Sequence, residues 1–202
     1  MINPWTDKDV ETHWDNVADI YIMENEKVKK AHNQRFIESI DYLDLENNNK
    51  ILNITSRDAG ADRYIRDSGT NVQVIHAEIS ARLMNEARKL NPSIHQVKLD
   101  NYSNLPFPDH SFDRILSLET LEHVAEPINF LKELHRISKP GSRLVLSCPP
   151  ATSEIPYRIY SFLFGGHGEG PHKFPSSKKV KTWLKQTRWE LLIHKGTVLV
   201  PV

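Results

Sequence analysis

Two carboxylates follow strand-like segments of the chain, where side chains can meet a ligand. Glu78 comes directly after VQVIHA, and Asp100 comes directly after HQVKL. A carboxylate at the end of one strand can accept hydrogen bonds from both hydroxyls of a ribose, and a carboxylate ending the next strand can accept from the exocyclic amino group of a base. Together the two suit an adenosine. For either residue alone, capping the helix that follows is an equal alternative.

A histidine beyond a later strand-like segment, FDRILSLE, is a candidate for proton transfer. The ordinary pKa of about 6.5 suits His123 to the role of general base, and a loop histidine without a chemical role is the alternative. Glu119 and Glu122 precede it in an E-x-x-E-H pattern. These three would converge on a divalent ion only from one turn of helix and with a fourth ligand. We therefore predict no metal.

Two segments near the end of the chain are candidates for bordering a substrate. Residues 157–164 are rich in aromatic side chains and predict either the lining of an acceptor pocket or packing on the sheet edge. Residues 165–172 read GGHGEGPH, a composition that is typical of a mobile lid.

The elements that would position these residues alternate between strands and helices. Apolar residues recur at helical spacing through the first 45 residues. Six strands are then predicted, starting near Ile51, Val72, Gln96, Phe112, Arg143 and Glu190. Helical segments between them indicate parallel pairing through right-handed crossovers. The predicted fold class is α/β, a doubly wound, Rossmann-like and mostly parallel sheet with helices on both faces and an N-terminal helical extension.

Composition and charge exclude several classes of protein. Lys and Arg together number 26, as do Asp and Glu, so a net charge of zero gives no general attraction to nucleic acid or to an anionic membrane. The single cysteine, Cys148, fits a reducing compartment. No stretch reaches the roughly 18 apolar residues of a membrane span, and the polar start is not typical of a secretion signal. We expect a cytoplasmic protein.

Several of these segments together resemble one family. VIHAEIS, VKLDNYSNLPFPDHSFDRILSLETLEHV and FLKELHRISKPGSRLVLSCPP occur in this order. They are similar to the second-strand acidic motif, the adenine-binding and fourth strands, and the helix and fifth strand of class I S-adenosylmethionine-dependent methyltransferases. The resemblance is greatest to the small soluble members that act on small molecules and lipids. It covers about half of the chain.

By position, the resemblance implies S-adenosylmethionine as cofactor. It assigns Glu78 to the ribose, Ile79 to packing against the adenine, and Asp100 with the amide of Asn101 to the edge of the adenine. Leu118, which ends the fourth strand, would lie beneath the methionine portion. The implied reaction is methyl transfer to a small molecule, for which a lipid or glycan precursor is one candidate.

The resemblance extends to the start of the chain, where HWDNVADIY is similar to a helix whose aromatic pair closes over the cofactor. Trp14 and Tyr21 would be that pair, and ordinary core packing is the alternative. We predict a single domain over 1–202, with a helical cap region at 1–48, a cofactor-binding core at 49–150, and an acceptor-side loop with a terminal helix and strand at 151–202.

The segment ILNITSRDAGADRYI departs from the family, which has an acidic residue and a glycine-rich turn here. Asn53 stands at the acidic position, and Thr55, Arg57 and Ala59 stand at the glycine positions. Glycine is used there because its backbone reaches positive φ and approaches the cofactor closely. In one reading the turn is reshaped around Gly60 and binds the cofactor, with Arg57 pairing with the methionine carboxylate and with Thr55, Ser56 or Asn53 supplying hydrogen bonds. In two others the protein binds weakly or prefers a related nucleoside, or keeps the scaffold without activity.

Three further expectations follow from the end of the chain and from the missing glycines. The family's seventh, antiparallel strand has no counterpart before residue 202, so we expect that either the carboxyl terminus has been cut or the sheet is incomplete. An incomplete sheet would have an exposed edge that a homodimer or a rearrangement would cover. The alternative function is a catalytically inactive binding or interaction protein with the methyltransferase fold. A nicotinamide-dependent oxidoreductase is less favoured because no G-x-G-x-x-G follows the first strand.

Overall fold

The computed structural model describes residues 2–27, 29–155, 168 and 170–196, without the side chains of residues 25–32. The predicted pocket-lining stretch 157–164 therefore lies outside the described residues, as does half of the predicted lid at 165–172. None of the described helices is long and apolar enough to cross a membrane.

A parallel five-stranded sheet forms the centre of the described structure. Its strands are β1 (Lys50–Ile54), β2 (Gln73–Glu78), β3 (Gln96–Lys98), β4 (Phe112–Leu118) and β5 (Ser138–Ser147). Every neighbouring pair is parallel, and the order across the sheet is β3-β2-β1-β4-β5. The predicted doubly wound α/β fold is confirmed. From β1 the chain adds β2 and β3 on one side and then β4 and β5 on the other, so the strand order reverses between the neighbours β1 and β4. Ligands of such sheets bind at the carboxyl ends of the strands near this point.

Helices cover both faces of the sheet. They are α1 (Asp7–Lys27), α2 (Lys29–Leu43), α3 (Ala61–Asp67), α4 (Ala81–Leu90), α5 (Pro127–Ile137) and α6 (Ser177–Gln186). The predicted helical N-terminal region is confirmed by α1 and α2. Local chemistry sets several boundaries: the Ser80 side chain accepts a hydrogen bond from the Leu83 N–H at the start of α4, and Asn91 ends that helix immediately before a proline.

Alternation along β1 explains why both faces need covering. Leu52 and Ile54 pack in a large apolar cluster with residues of α1, α4, α5 and α6. Ile51 points the other way, into a smaller cluster with residues of α2 and α3. A strand that is apolar on both faces must be sandwiched between two layers of helices, as the parallel topology requires.

The sixth predicted strand, starting near Glu190, is wrong. Residues 190–196 form neither helix nor strand. At one end of this segment the Trp189 indole N–H donates to the carbonyl of Leu131 in α5, and at the other the Lys195 ammonium lies 3.0 Å from Glu38 of α2. Because α5 and α2 lie on opposite faces of the sheet, the segment crosses the edge instead of pairing with it. A short apolar run alone does not distinguish a strand from such a crossing.

Candidate functional site

The turn between β1 and α3 has a left-handed backbone at three residues that are not glycine. The φ angle is +56° at Thr55, +53° at Arg57 and +58° at Ala59. This region favours glycine because the Cβ of any other residue crowds the neighbouring carbonyl. The three residues occupy the positions that the family resemblance assigns to glycine, so the path of a glycine-rich turn persists without its glycines. Gly60 has a φ of −54°, so the turn is not reshaped around it, whereas the pairing of Arg57 with the methionine carboxylate stays a prediction.

Glu78 is fully buried at the end of β2, where the chain's own backbone holds its carboxylate. Its Oε2 accepts from the N–H of Arg57 at 2.7 Å, and its Oε1 accepts from those of Ile79 at 2.7 Å and Ser80 at 2.9 Å. A carboxylate offers about four lone-pair positions. Three of them are thus occupied, and the bond to Arg57 fixes the β1 turn against the end of β2.

The Arg57 side chain fills the space between Glu78 and α1. Its guanidinium carbon lies 3.6 Å from the ring centroid of Trp14, and its Nη1 lies 4.0 Å from Glu78 Oε1. The aromatic face and the carboxylate both attract the cation. Nη1 is buried and has no hydrogen-bond partner among the described residues. Only 8% of Arg57 is exposed, so this side chain closes the cleft beside Glu78.

Helix α1 is tied across the carboxyl edge of the sheet by two aspartates. Asp7 accepts from the backbone N–H of Tyr102, beyond β3, at 2.8 Å and from that of Ala125, beyond β4, at 3.1 Å. Asp15 accepts from the Ser80 hydroxyl, beyond β2, at 2.7 Å. These bonds place α1 over the ends of three strands and hold Trp14 above Arg57.

The aromatic pair predicted on α1 forms, and His123 joins it. The Trp14 ring is edge-on to Tyr21 at 5.6 Å and to His123 at 5.5 Å between centroids. His123 is buried, and its Nδ1 donates to the carbonyl of Pro171 at 3.0 Å. Burial, reinforced by the charge of Arg57, holds the pKa of His123 well below 6.5. An imidazole with a lowered pKa takes up a proton less readily, which works against a general-base role in this arrangement.

Tyr102, which was not predicted from the sequence, belongs to the same group. It is fully buried, and its phenol oxygen accepts from the Thr55 hydroxyl at 3.3 Å. Burial, followed by the charge of Glu78, raises the pKa of Tyr102. Its position two residues after Asp100, beyond the end of a strand, is the sequence feature that could have identified it as a site residue.

Two of the predicted cofactor-binding residues lie elsewhere. The Asn53 amide lies 3.1 Å from His76 Nδ1, and His76 Nε2 lies 3.0 Å from a carboxylate oxygen of Asp62 in α3. This buried polar chain joins β1, β2 and α3 instead of facing Arg57. Leu118 packs in the apolar cluster with residues of α2 and α3. The structure does not bring either side chain into the group around Glu78.

The residues assigned to the adenine differ in accessibility. Asp100 is exposed after β3, and the half-buried Asn101 accepts at its side-chain oxygen from the N–H of Ser103. Ile79 is fully buried in the larger apolar cluster. The exposed carboxylate of Asp100 is therefore available to a ligand, whereas the buried side chain of Ile79 is not.

The E-x-x-E-H pattern does not converge on a metal site. Glu119 accepts from the Ser147 hydroxyl at 2.6 Å, while Glu122 Oε1 lies 3.9 Å from His123 Nε2. Among the described residues, no three His, Cys, Asp or Glu side chains are grouped so that they could hold a metal ion.

Comparison with known proteins finds one family that part of the chain matches. Residues 57–146 match the family described as methyltransferase domain, and the match begins at Arg57, the second of the three left-handed positions. This segment, a little under half of the chain, is therefore similar to that methyltransferase family.

Relatives and solved structures agree with this assignment of the methyltransferase fold. A demethylmenaquinone methyltransferase from Paenarthrobacter aurescens strain TC1 is 29% identical over 140 residues, or 69% of this chain and 54% of that protein. The chain thus spans about half the length of this relative. The [4+2]-cyclase SpnF has a TM-score of 0.72 at 15% identity, covering 92% of this chain and 74% of its own. A SAM-dependent methyltransferase from Thermotoga maritima has a TM-score of 0.64 at 21% identity, covering 86% and 80%. Because one neighbour is a cyclase, fold alone does not fix the reaction.

The described arrangement does not accommodate S-adenosylmethionine, the cofactor that the family implies. Glu78, the residue that the resemblance assigns to the ribose, has no exposed surface, and the guanidinium of Arg57 lies beside its carboxylate. A cavity of about 430 Å³ lies at the opposite, amino-terminal edge of β2 and β3, where its lining includes Asn71, Val72 and His95. Cofactor entry would require Arg57 to leave its position.

Proposed function

We propose that the chain is a methyltransferase domain that transfers a methyl group from S-adenosylmethionine to a small molecule, and that the arrangement described above is its closed form. The observation that carries the proposal is the buried Glu78 carboxylate, held at the end of β2 by the left-handed β1 turn. That turn conformation is costly without glycine. Its persistence at all three positions supports a cleft of the family's shape.

The proposed cofactor-binding residues are those whose positions at the strand ends match the family. Glu78 would accept from the ribose and Asp100 would accept from the adenine amino group once Arg57 has moved aside. Trp14 would cover the bound nucleoside from α1. The single, half-buried thiol of Cys148 supports the proposed location in the cytoplasm, where thiols remain reduced.

The methyl acceptor is proposed from relatives. Several of them are named demethylmenaquinone methyltransferase, so demethylmenaquinone is the first acceptor to assay. A lipid or glycan precursor is a broader candidate class. With an already activated methyl donor, the protein's main contributions would be alignment and exclusion of water.

A second candidate function is favoured by the position of Arg57. A protein that kept the fold and lost the chemistry would have no need of an open cleft, and the buried guanidinium next to Glu78 agrees with that role. The two candidates differ in a simple property, which is saturable binding of the cofactor or of its demethylated product.

Calorimetric titration with S-adenosylhomocysteine tests the proposal. We expect weak but saturable binding by the unmodified chain, and we expect Asp100→Ala to weaken it by about 1–3 kcal/mol through loss of a charge-assisted hydrogen bond. Asp67→Ala is the matched control, because Asp67 is also an exposed aspartate, at the end of α3. Absence of binding at millimolar ligand would favour the second candidate. Equal affinity of the Asp100 and Asp67 variants would remove Asp100 from the site.

A further inference from the structure

Arg57 is the one long, charged side chain on the left-handed β1 turn. Its backbone N–H serves Glu78 Oε2, and its side chain reaches back to the same carboxylate, with Nη1 4.0 Å from Oε1. Because its main chain and its side chain both approach the buried Glu78 carboxylate, Arg57 occupies the space next to that carboxylate. A glycine at this φ of +53° would leave that space empty.

The position of Arg57 beside Glu78 is important because the Glu78 carboxylate can accept few further hydrogen bonds. Three backbone N–H groups take three of about four lone-pair positions, so little capacity remains for a further donor. A guanidinium and the hydroxyls of a ribose are both donors that such a carboxylate attracts. They cannot both occupy the same side of Glu78. The cation also carries a full charge, which strengthens its hold on the carboxylate in a site closed to water.

The surroundings hold the guanidinium in place without fully satisfying it. The guanidinium carbon lies over the face of the Trp14 ring, 3.6 Å from its centroid, and Trp14 is itself held by α1. Yet Nη1 is buried without a hydrogen-bond partner among the described residues, which weakens the arrangement. A side chain held by stacking and by a loose ion pair can be displaced by a ligand that binds well enough.

We infer that Arg57 determines the affinity of this domain for nucleoside ligands, because its guanidinium occupies the position beside Glu78 that a ribose would take. The inference rests on the proposed function, and it adds the residue that restricts access to that site. It predicts a gain of affinity on removing a charged side chain from the site. A residue that bound the ligand would instead give a loss when removed.

The experiment is calorimetric titration of S-adenosylhomocysteine into Arg57→Gly, with Arg57→Asn as a second variant because asparagine also tolerates positive φ. Arg188→Gly is the matched control: Arg188 has a φ of +66°, is exposed and lies beyond α6, outside the site. We expect at least a tenfold lower dissociation constant in both Arg57 variants and no change in the control. Adding Glu78→Gln to Arg57→Gly should remove most of the gain.

The outcomes separate this inference from the proposed function. Binding by the unmodified chain with equal or lower affinity in the Arg57 variants would overturn the inference and leave the function standing. Binding by the Arg57 variants alone would support the inference and contradict methyl transfer by the unmodified chain. Absence of binding by every variant, with melting temperatures that report folded proteins, would contradict both.

Discussion

At the scale of single residues, the buried group around Trp14 contains the charged Arg57 and a histidine, His123, whose protonated form is disfavoured there. Arg57 lies against Trp14 on one side, and His123 meets the same ring edge-on. His13 and His172 also lie near His123, and Glu122 Oε1 lies 3.9 Å from its Nε2. Because water is excluded here, a second positive charge on His123 would be costly, which is why its pKa is lowered.

This lowered pKa predicts how stability depends on pH. Below about pH 6.5 the unfolded chain binds a proton at His123 that the folded chain does not, so the free energy of unfolding falls as pH decreases. The slope approaches about 1.4 kcal/mol per pH unit until the folded residue also titrates. Urea unfolding between pH 7.5 and pH 5.5 should show a smaller slope for His123→Gln than for the unmodified chain. His194→Gln, at an exposed position, should retain the full slope. Equal slopes in all three proteins would contradict the prediction.

At the scale of elements, the strands could be predicted from the sequence because they follow apolar patterns, whereas single polar contacts between distant elements could not. β1, β2 and β4 are apolar runs bounded by turn residues, and each begins within one residue of its predicted start. The bonds of Asp7 and Asp15 join residues 65 to 118 positions apart. Such isolated polar contacts leave no periodic pattern. The position of the Arg57 side chain was likewise not predictable, because it depends on where α1 packs.

The bonds made by Asp7 predict which contact secures α1 over the sheet. Asp7→Ala would leave the buried N–H groups of Tyr102 and Ala125 without their acceptor, so we expect a loss of about 1–3 kcal/mol of unfolding free energy for each group. Asp19→Ala is the control on the same helix. The Asp19 side chain is 68% exposed and pairs with Arg82 at the surface, so its loss should change stability by less than about 1 kcal/mol. Urea unfolding followed by tryptophan fluorescence measures both. Equal stabilities would mean that apolar packing alone holds α1.

At the scale of the whole molecule, the sheet has an unequal pair of edges. β3 is three residues long, whereas β5 runs for ten and has no strand on its outer side among the described residues. The segment that crosses this edge exposes three consecutive apolar side chains, with Leu191 43%, Leu192 69% and Ile193 59% exposed. Long edges and contiguous exposed apolar residues favour association, and a net charge of zero does not oppose it.

We therefore propose that two copies of the chain associate through the β5 edge and the residues that cross it. Sedimentation velocity should detect a dimer fraction that increases with protein concentration. Leu192→Lys should reduce that fraction because it places a charge within the buried contact. Leu90→Lys, at a 64% exposed leucine that ends α4 beside β2 and β3, towards the opposite edge of the sheet, should leave it unchanged. A monomer at every concentration would exclude the association, whereas an equal effect of the two substitutions would mean that added charge, and not the β5 edge, controls it.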